Sequence, residues 1–193
     1  MPARIKRGKP PVKPIKRHKY RDALPELFRD FGSRCAYSCQ HYTRAGGESC
    51  MEVDHFDPRQ KRDFIQDNRN LFLATRHCNL AKGKQWPTKA DIAAGLRFLN
   101  PCEEMDYGEQ ILEDPISHKL VGLTPAAIWH IRKLNLNAEH LRMERHDRAE
   151  IWKDLRSAFT IKPRVSVDVV TTASATLQAT VDRMIPEIPY LRP

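Results

Sequence analysis

Two short apolar runs, and the segment after the second one, limit most strongly what this chain can fold into. The first run, CMEVDHF, covers residues 50–56 and is typical of a strand, and the second, NLFLA, covers residues 70–74. The segment TRHCNLAKGKQW, residues 75–86, follows at once and predicts a short helix that closes at its glycine. An acid and an imidazole, Asp54 and His55, stand side by side at the end of the first run. Because neighbouring side chains on a strand point to opposite faces, we expect one of them to face a ligand.

Helical patterns surround these segments. Apolar residues recur at helical spacing over residues 23–31, Thr-Pro at 124–125 marks a helix start, and a further helix is expected over about residues 138–160. Thr88 and Asp91 form a partial capping box, which predicts one more helix. The inner face of that helix would carry Ile92, Leu96 and Leu99. Strands and helices together predict an α+β fold.

The positive charge of the chain is concentrated at its N-terminus. The chain has 33 Lys and Arg against 24 Asp and Glu, and residues 1–21 hold nine of the basic residues and no acid. Four prolines in the same segment oppose helix formation. We therefore predict a disordered basic arm over residues 1–22. Two readings are open for it: contact with a nucleic-acid backbone, or a solubilising tail that binds nothing.

The sequence also predicts the compartment. No apolar stretch approaches the length of a membrane span, and the N-terminus lacks the apolar centre of a secretory signal. We expect a cytoplasmic protein without a membrane partner. The five cysteines should then stay reduced, so a cysteine cluster indicates a metal site rather than a disulfide framework.

Three segments together resemble the motif of the HNH endonucleases. They are EVDHFDP at 52–58, NRNLFLA at 68–74 and RHCNLAKGK at 76–84. The order and spacing of Asp54, His55, Asn70 and Asn79 are similar to that motif, with Asn79 where a third histidine is usual. The resemblance implies a ββα-metal core (HNH or His-Me finger), in which a hairpin and a helix grip one divalent ion. Flanking α-helices and disordered termini complete this α+β fold.

The resemblance also implies a division of the chain. Residues 1–22 would form the basic arm, and residues 23–100 the nuclease core with a helix on each side. A helical extension over residues 101–160 and a tail over residues 161–193 would follow.

The expected chemistry is the hydrolysis of a phosphodiester bond. A water must lose its proton, and charge must be stabilised at the phosphate. A neutral imidazole suits the first task near pH 7, so His55 is the candidate general base. Oxygen ligands from Asp54 and Asn79 suit Mg²⁺, with Mn²⁺ as the alternative. By the resemblance, Asn70 ties the loop that positions the histidine, and Asn68 is the alternative for that role.

The segment from 59 to 89 is locally basic, so DNA is the expected partner. Lys82 lies one helical turn after Asn79 and could reach the same phosphate. The predicted nucleic-acid contacts are Arg59, Arg76, Lys82 and Lys84.

Members of the family often brace the hairpin with zinc held by two CxxC pairs. Here the first pair is one residue wider than usual, and Thr75 stands where the second pair would have a cysteine. A closed structural zinc site needs four ligands. The predicted ligands are Cys35, Cys39, Cys50 and Cys78, with His41 or His77 as substitutes. The other reading is that these thiols are buried small apolar groups without zinc.

These observations predict a metal-dependent endonuclease that hydrolyses phosphodiester bonds in DNA. Residues 34–145 are similar to bacterial HNH proteins of retron and other anti-phage defence systems, which implies an ATPase as partner. The alternative is a catalytically silent nucleic-acid-binding or adaptor module of the same fold.

Overall fold

The computed structural model describes residues 15–16, 21–60, 64–65, 68–103 and 109–160. The helices are α1 (Leu24–Asp30), α2 (Arg76–Lys82), α3 (Lys89–Ala93), α4 (Pro125–Lys133) and α5 (Glu139–Thr160). The strands are β1 (Ile15–Lys16), β2 (Met51–His55), β3 (Phe64–Ile65), β4 (Leu71–Thr75), β5 (Ile111–Glu113) and β6 (Leu120–Gly122). The chain is therefore α+β, as predicted. Most of the predicted basic arm and all of the predicted tail lie outside the described residues. Within the arm, Ile15–Lys16 form β1, so the prediction of disorder is wrong for these two residues.

The strands of the described part form antiparallel pairs, β1 with β3, β2 with β4 and β5 with β6. In the central pair, Met51 lies opposite Thr75 and His55 opposite Leu71. Strand β4 is buried along its whole length, which explains its uninterrupted apolar run. The register sets the end of β2, with Asp54 and His55, beside the start of β4.

Helix α2 begins directly after β4. The Thr75 hydroxyl accepts a hydrogen bond from the Cys78 amide at 3.4 Å and caps the helix. The helix ends at Gly83, whose φ of 52° is in the left-handed region that glycine tolerates best. Strand, loop, strand and helix thus follow one another in the predicted order, and the turn between β4 and α2 positions the helix against β2.

The core joins this central pair to helices α1 and α4. The Phe72 ring of β4 lies 5.5 Å from Phe31, at the end of α1, and 6.1 Å from Tyr37, between ring centroids. Tyr37 lies 6.1 Å from His130 of α4, and Phe98 packs edge-on against Trp129 of the same helix at 4.6 Å. These buried aromatic contacts hold the β2–β4 pair in place and fix the position of the residues along it.

Helix α3 is shorter than predicted. Its capping box is confirmed, because Thr88 and Asp91 exchange both hydrogen bonds. The helix nevertheless ends at Ala93, and Gly95 follows with a φ of 75°. The expected inner face is wrong for Ile92, which is 53% exposed, whereas Leu99 is buried but lies beyond the helix.

The chain divides into two units. One contains residues 3–142, and of the other the structure describes residues 143–160, within α5. Residues 101–142 thus belong to the same unit as the predicted core, and the predicted boundary at residue 100 stays a prediction. Among the described residues, none of the helices combines the length and the apolar character needed to cross a membrane.

Candidate functional site

The candidate site lies where α2 packs along one face of β2. Glu52 and Asp54 are two residues apart on the strand and therefore share this face. From α2, the Arg76 Nε lies 3.3 Å from Glu52 Oε1, and the Asn79 Nδ2 donates to Glu52 Oε2 at 2.6 Å. One turn later, Lys82 reaches Asp54. Helix and strand therefore run side by side in the same direction.

Asp54 forms a buried ion pair with Lys82. The Lys82 Nζ lies 3.0 Å from Asp54 Oδ1 and 2.9 Å from Oδ2, and it also donates to the His55 carbonyl at 2.7 Å. The side chain of Lys82 has 0% and that of Asp54 4% of its surface exposed. The ammonium also lies 5.7 Å from the centroid of the Phe98 ring. Lys82 thus joins the end of β2 to α2 from inside the protein.

Tyr37 completes the surroundings of Asp54. Its hydroxyl donates a short hydrogen bond to Asp54 Oδ2. Burial, together with the nearby Asp54 carboxylate, raises the pKa of Tyr37 well above its usual value. The hydroxyl therefore keeps its proton and acts as a donor, so the carboxylate faces two donors in a dry site.

His55 is the last residue of β2 and is half-buried. Its backbone carbonyl is held by Lys82, which fixes the strand at this residue. Because side chains alternate along a strand, the ring leaves β2 on the face opposite to the Asp54 carboxylate. The imidazole therefore lies at the end of the strand and is partly accessible.

Asn70 ties the loop that follows His55. Its Oδ1 accepts from the Asp57 amide at 2.8 Å, and its Nδ2 donates to the Asp57 carbonyl at 3.0 Å. The Phe56 amide also donates to the Asn70 carbonyl at 2.9 Å. The two residues after His55 are thus fixed from the start of β4. The side chain of Asn68, the alternative for this role, lies outside the described residues.

A second clamp holds the same loop. Arg59 approaches Asp57 with two nitrogens, Nε at 3.0 Å from Oδ1 and Nη2 at 2.9 Å from Oδ2, and Gln60 donates to Oδ2 at 3.0 Å. Burial acts to raise the pKa of Asp57, but the hydrogen bonds from Arg59 and Gln60 outweigh it and lower the pKa. The Arg59 guanidinium also lies 5.0 Å from the centroid of the Trp86 ring. The guanidinium of Arg59, which was predicted to contact phosphate, therefore binds Asp57 and holds the loop.

The other predicted phosphate contacts have different surroundings. Lys84 is exposed. Arg76 has 68% of its side chain exposed and is paired with Glu52. The prediction for Lys82 does not agree with its placement, because a side chain with no exposed surface cannot touch a phosphate in solution. A lysine near the end of a short helix looks like a surface residue in the sequence, but here it neutralises a buried carboxylate.

Two of the predicted zinc ligands contact each other in the structure. Cys35 and Cys78 are hydrogen-bonded to each other, and the Thr75 hydroxyl lies 3.7 Å from the Cys35 sulfur. Burial acts to raise the pKa of Cys35, but hydrogen bonds from Cys78, Ser38 and Thr75 lower it to about 5. Within the described part of the chain, no three His, Cys, Asp or Glu side chains come together to hold a metal. Zinc binding by Cys35, Cys39, Cys50 and Cys78 stays a prediction, with buried thiols that bind no zinc as the other reading.

The oxygens near α2 fit a hard divalent ion better. A carboxylate has about four lone-pair positions, and the contacts with Lys82 and Tyr37 leave one of them at Asp54 Oδ1. Among the described residues, the side-chain oxygen of Asn79, Oδ1, accepts no hydrogen bond. Mg²⁺ is commonly held by one or two carboxylates and several waters, so a cluster of three acids is not required. Asp54 and Asn79 would hold the ion, with Asp54 shared between the ion and Lys82.

Sequence reasoning missed three residues of this site. Glu52 had a usable signal, because it lies two residues before Asp54 on a predicted strand and must share its face. Asp57 follows His55 closely and had a weaker signal. Tyr37 had none, since only the fold brings it to Asp54.

Comparison with known proteins found no match for this chain. No family model matches the sequence, and no curated protein and no solved structure matches the chain.

Proposed function

We propose that this protein is a metal-dependent endonuclease of the HNH type that hydrolyses phosphodiester bonds in DNA. The observation that carries the proposal is the packing of α2 against β2. It brings the carboxylate of Asp54 and the amide of Asn79 to one side of the strand. The imidazole of His55 stands next in the chain, at a strand end that Asn70 holds through the adjoining loop.

Each residue has a distinct task in this proposal. The scissile phosphate binds beyond the end of β2, where His55 takes the proton from the attacking water. Asn70 holds the backbone after His55 and so limits the positions that the ring can take. Asp54 and Asn79 would hold Mg²⁺ or Mn²⁺, which supplies charge stabilisation at the phosphate when bound. Lys84 and the exposed Arg76 lie in the same segment of the chain as Asn79 and supply positive charge for the DNA backbone.

The test is nicking of a supercoiled plasmid with added Mg²⁺ or Mn²⁺. We expect cleavage by the natural protein and a loss of at least about 10²-fold in His55→Ala, because general-base catalysis contributes about that much. His146→Ala is the matched control, since His146 is an exposed histidine on α5. A gel-shift assay should show that His55→Ala still binds DNA. Equal cleavage by His55→Ala and the natural protein would contradict the proposal.

One observation favours a second function, a nucleic-acid-binding module without turnover. The charge of Asp54 is already balanced by Lys82, so this carboxylate does not need a metal ion for charge neutralisation. Such a protein would bind DNA in the gel-shift assay and leave the plasmid intact with either ion.

The resemblance also suggests the setting in which the protein works. We propose a role in anti-phage defence beside an ATPase. Size-exclusion chromatography of the tagged protein purified from its host, with an ATP-hydrolysis assay of each fraction, tests this: ATPase activity that co-elutes with the protein supports the pairing, and its absence contradicts it.

A further inference from the structure

Glu52 is held by two residues of α2 and has no role in the proposal above. Its carboxylate accepts from Asn79 Nδ2 at 2.6 Å through one oxygen and pairs with Arg76 Nε at 3.3 Å through the other. The Glu52 side chain is 22% exposed, so these contacts are partly shielded from water. The short distance to Asn79 indicates a charge-assisted hydrogen bond.

This hydrogen bond decides which end of the Asn79 amide is available to a cation. A side-chain amide has an oxygen that binds cations and an NH₂ group that repels them. An ionised carboxylate can only accept hydrogen bonds, so it selects the NH₂ end of Asn79. The opposite orientation would place two oxygens at the 2.6 Å contact. Glu52 therefore turns the amide oxygen of Asn79 away from itself.

Asp54 is the next acid along the same face of β2. Helix α2 contacts Glu52 through Arg76 and Asn79, and it contacts Asp54 one turn later through Lys82. Asn79 therefore lies between the levels of the two carboxylates, which are about 7 Å apart along the strand. Because its NH₂ group is held by Glu52, the side-chain amide has its oxygen directed away from Glu52.

We infer that Glu52 is a positioning residue that presents the amide oxygen of Asn79 to a divalent cation shared with Asp54. The inference rests on the proposed function for the location of the cation. Arg76 supports Glu52 by holding its second oxygen. Glu52 acts through Asn79 and need not touch the metal or the DNA.

The test is Mn²⁺ binding, measured by electron paramagnetic resonance of the free ion, with plasmid nicking as a second readout. In Glu52→Ala we expect Mn²⁺ affinity to fall by about tenfold, as for the loss of a residue that orients a metal ligand. In Glu52→Gln we expect a smaller loss, because the glutamine oxygen can still accept from Asn79. Glu48→Gln is the control for the lost charge, since Glu48 is an exposed acid just before β2.

The same Glu52 substitution in an Asn79→Asp background separates the orientation of the Asn79 side chain from general effects of charge or stability. In Asn79→Asp both oxygens are equivalent, so no orienting partner is needed, and Glu52 now repels the new carboxylate. We therefore expect Glu52→Gln to weaken Mn²⁺ binding in the natural background and to strengthen it in the Asn79→Asp background. The same direction of change in both backgrounds would overturn the inference, as would a natural protein that binds no Mn²⁺. Circular dichroism and a thermal melt confirm folding, and the two Glu52→Gln variants suffice if Glu52→Ala fails to fold.

The outcomes also distinguish this inference from the proposed function. Opposite effects of Glu52→Gln in the two backgrounds, without any DNA cleavage, would support the role of Glu52 and contradict the endonuclease. Cleavage that depends on His55 together with Mn²⁺ affinity that is insensitive to Glu52 would support the endonuclease and overturn the role of Glu52.

Discussion

Replacing Lys82 with methionine should destabilise the fold strongly. Methionine has a similar length but no charge, so Lys82→Met would leave the Asp54 carboxylate buried with Tyr37 as its remaining donor. Removing one partner of a buried ion pair typically costs about 3–5 kcal/mol. The His55 carbonyl would also lose its 2.7 Å hydrogen bond to Nζ, for about 1 kcal/mol more. This is a large part of the 5–15 kcal/mol that typically stabilises a domain.

Urea and thermal unfolding measure the effect. For a protein of this size, the combined loss of about 4–6 kcal/mol lowers the melting temperature by about 8–24 °C. Lys84→Met is the matched control, because it removes an exposed lysine two residues away and should leave the midpoint unchanged. The double variant Lys82→Met with Asp54→Asn should recover part of the loss, since a neutral amide costs less to bury than an unpaired carboxylate. Stability of Lys82→Met equal to that of the natural protein would refute the reasoning, and so would a double variant less stable than Lys82→Met alone.

Further predictions concern the loop and the cysteines. Asn70→Asp keeps the acceptor for the Asp57 amide but loses the donor to the Asp57 carbonyl, so we expect plasmid nicking to fall at least about tenfold while the circular dichroism spectrum is unchanged. The pKa of Asp57 is lowered from its ordinary value of 3.8, so its ionised form stabilises the fold above that pH, and this stabilisation is lost as the pH falls through the lowered value. Asp57→Asn should therefore be less stable than the natural protein at pH 6 in urea unfolding, and the difference should shrink below pH 4. Elemental analysis and a thermal melt with EDTA distinguish the two readings of the cysteines, two of which, Cys35 and Cys78, are hydrogen-bonded to each other. One zinc per chain and a lower melting temperature in EDTA would support the zinc site, whereas no zinc and an unchanged melting temperature would support buried thiols without metal.

The sequence predicted the starts of helices correctly where the signal comes from residues close together in the chain. The capping box of Thr88 and Asp91 and the helix start at Thr124 are confirmed, because each depends on hydrogen bonds between residues three apart. The inner face of α3 was wrong for Ile92, because the helix ends before its apolar pattern is complete. Apolar spacing shows which residues can share a helical face, but not how far the helix extends.

The order of elements around the candidate site was also within reach of the sequence. Two apolar runs and a closing glycine indicated strand, loop, strand and helix, and these features act over a few residues. Which face of α2 turns to β2 was not indicated. Lys82 was therefore expected to lie at the surface and is instead fully buried against Asp54.

By itself, the sequence determined the α+β class, the existence of the helices, strands β2 and β4, and the placement of Asp54 and His55 at a strand end. Only the tertiary structure decided that Tyr37, Asp54 and Lys82 meet, and that Glu52 holds the Asn79 amide. The physical reason is the range of the interactions. Caps, turns and apolar spacing act within a few residues along the chain, whereas the pairing of a carboxylate with its donors depends on how β2, α2 and the loop around Tyr37 pack together.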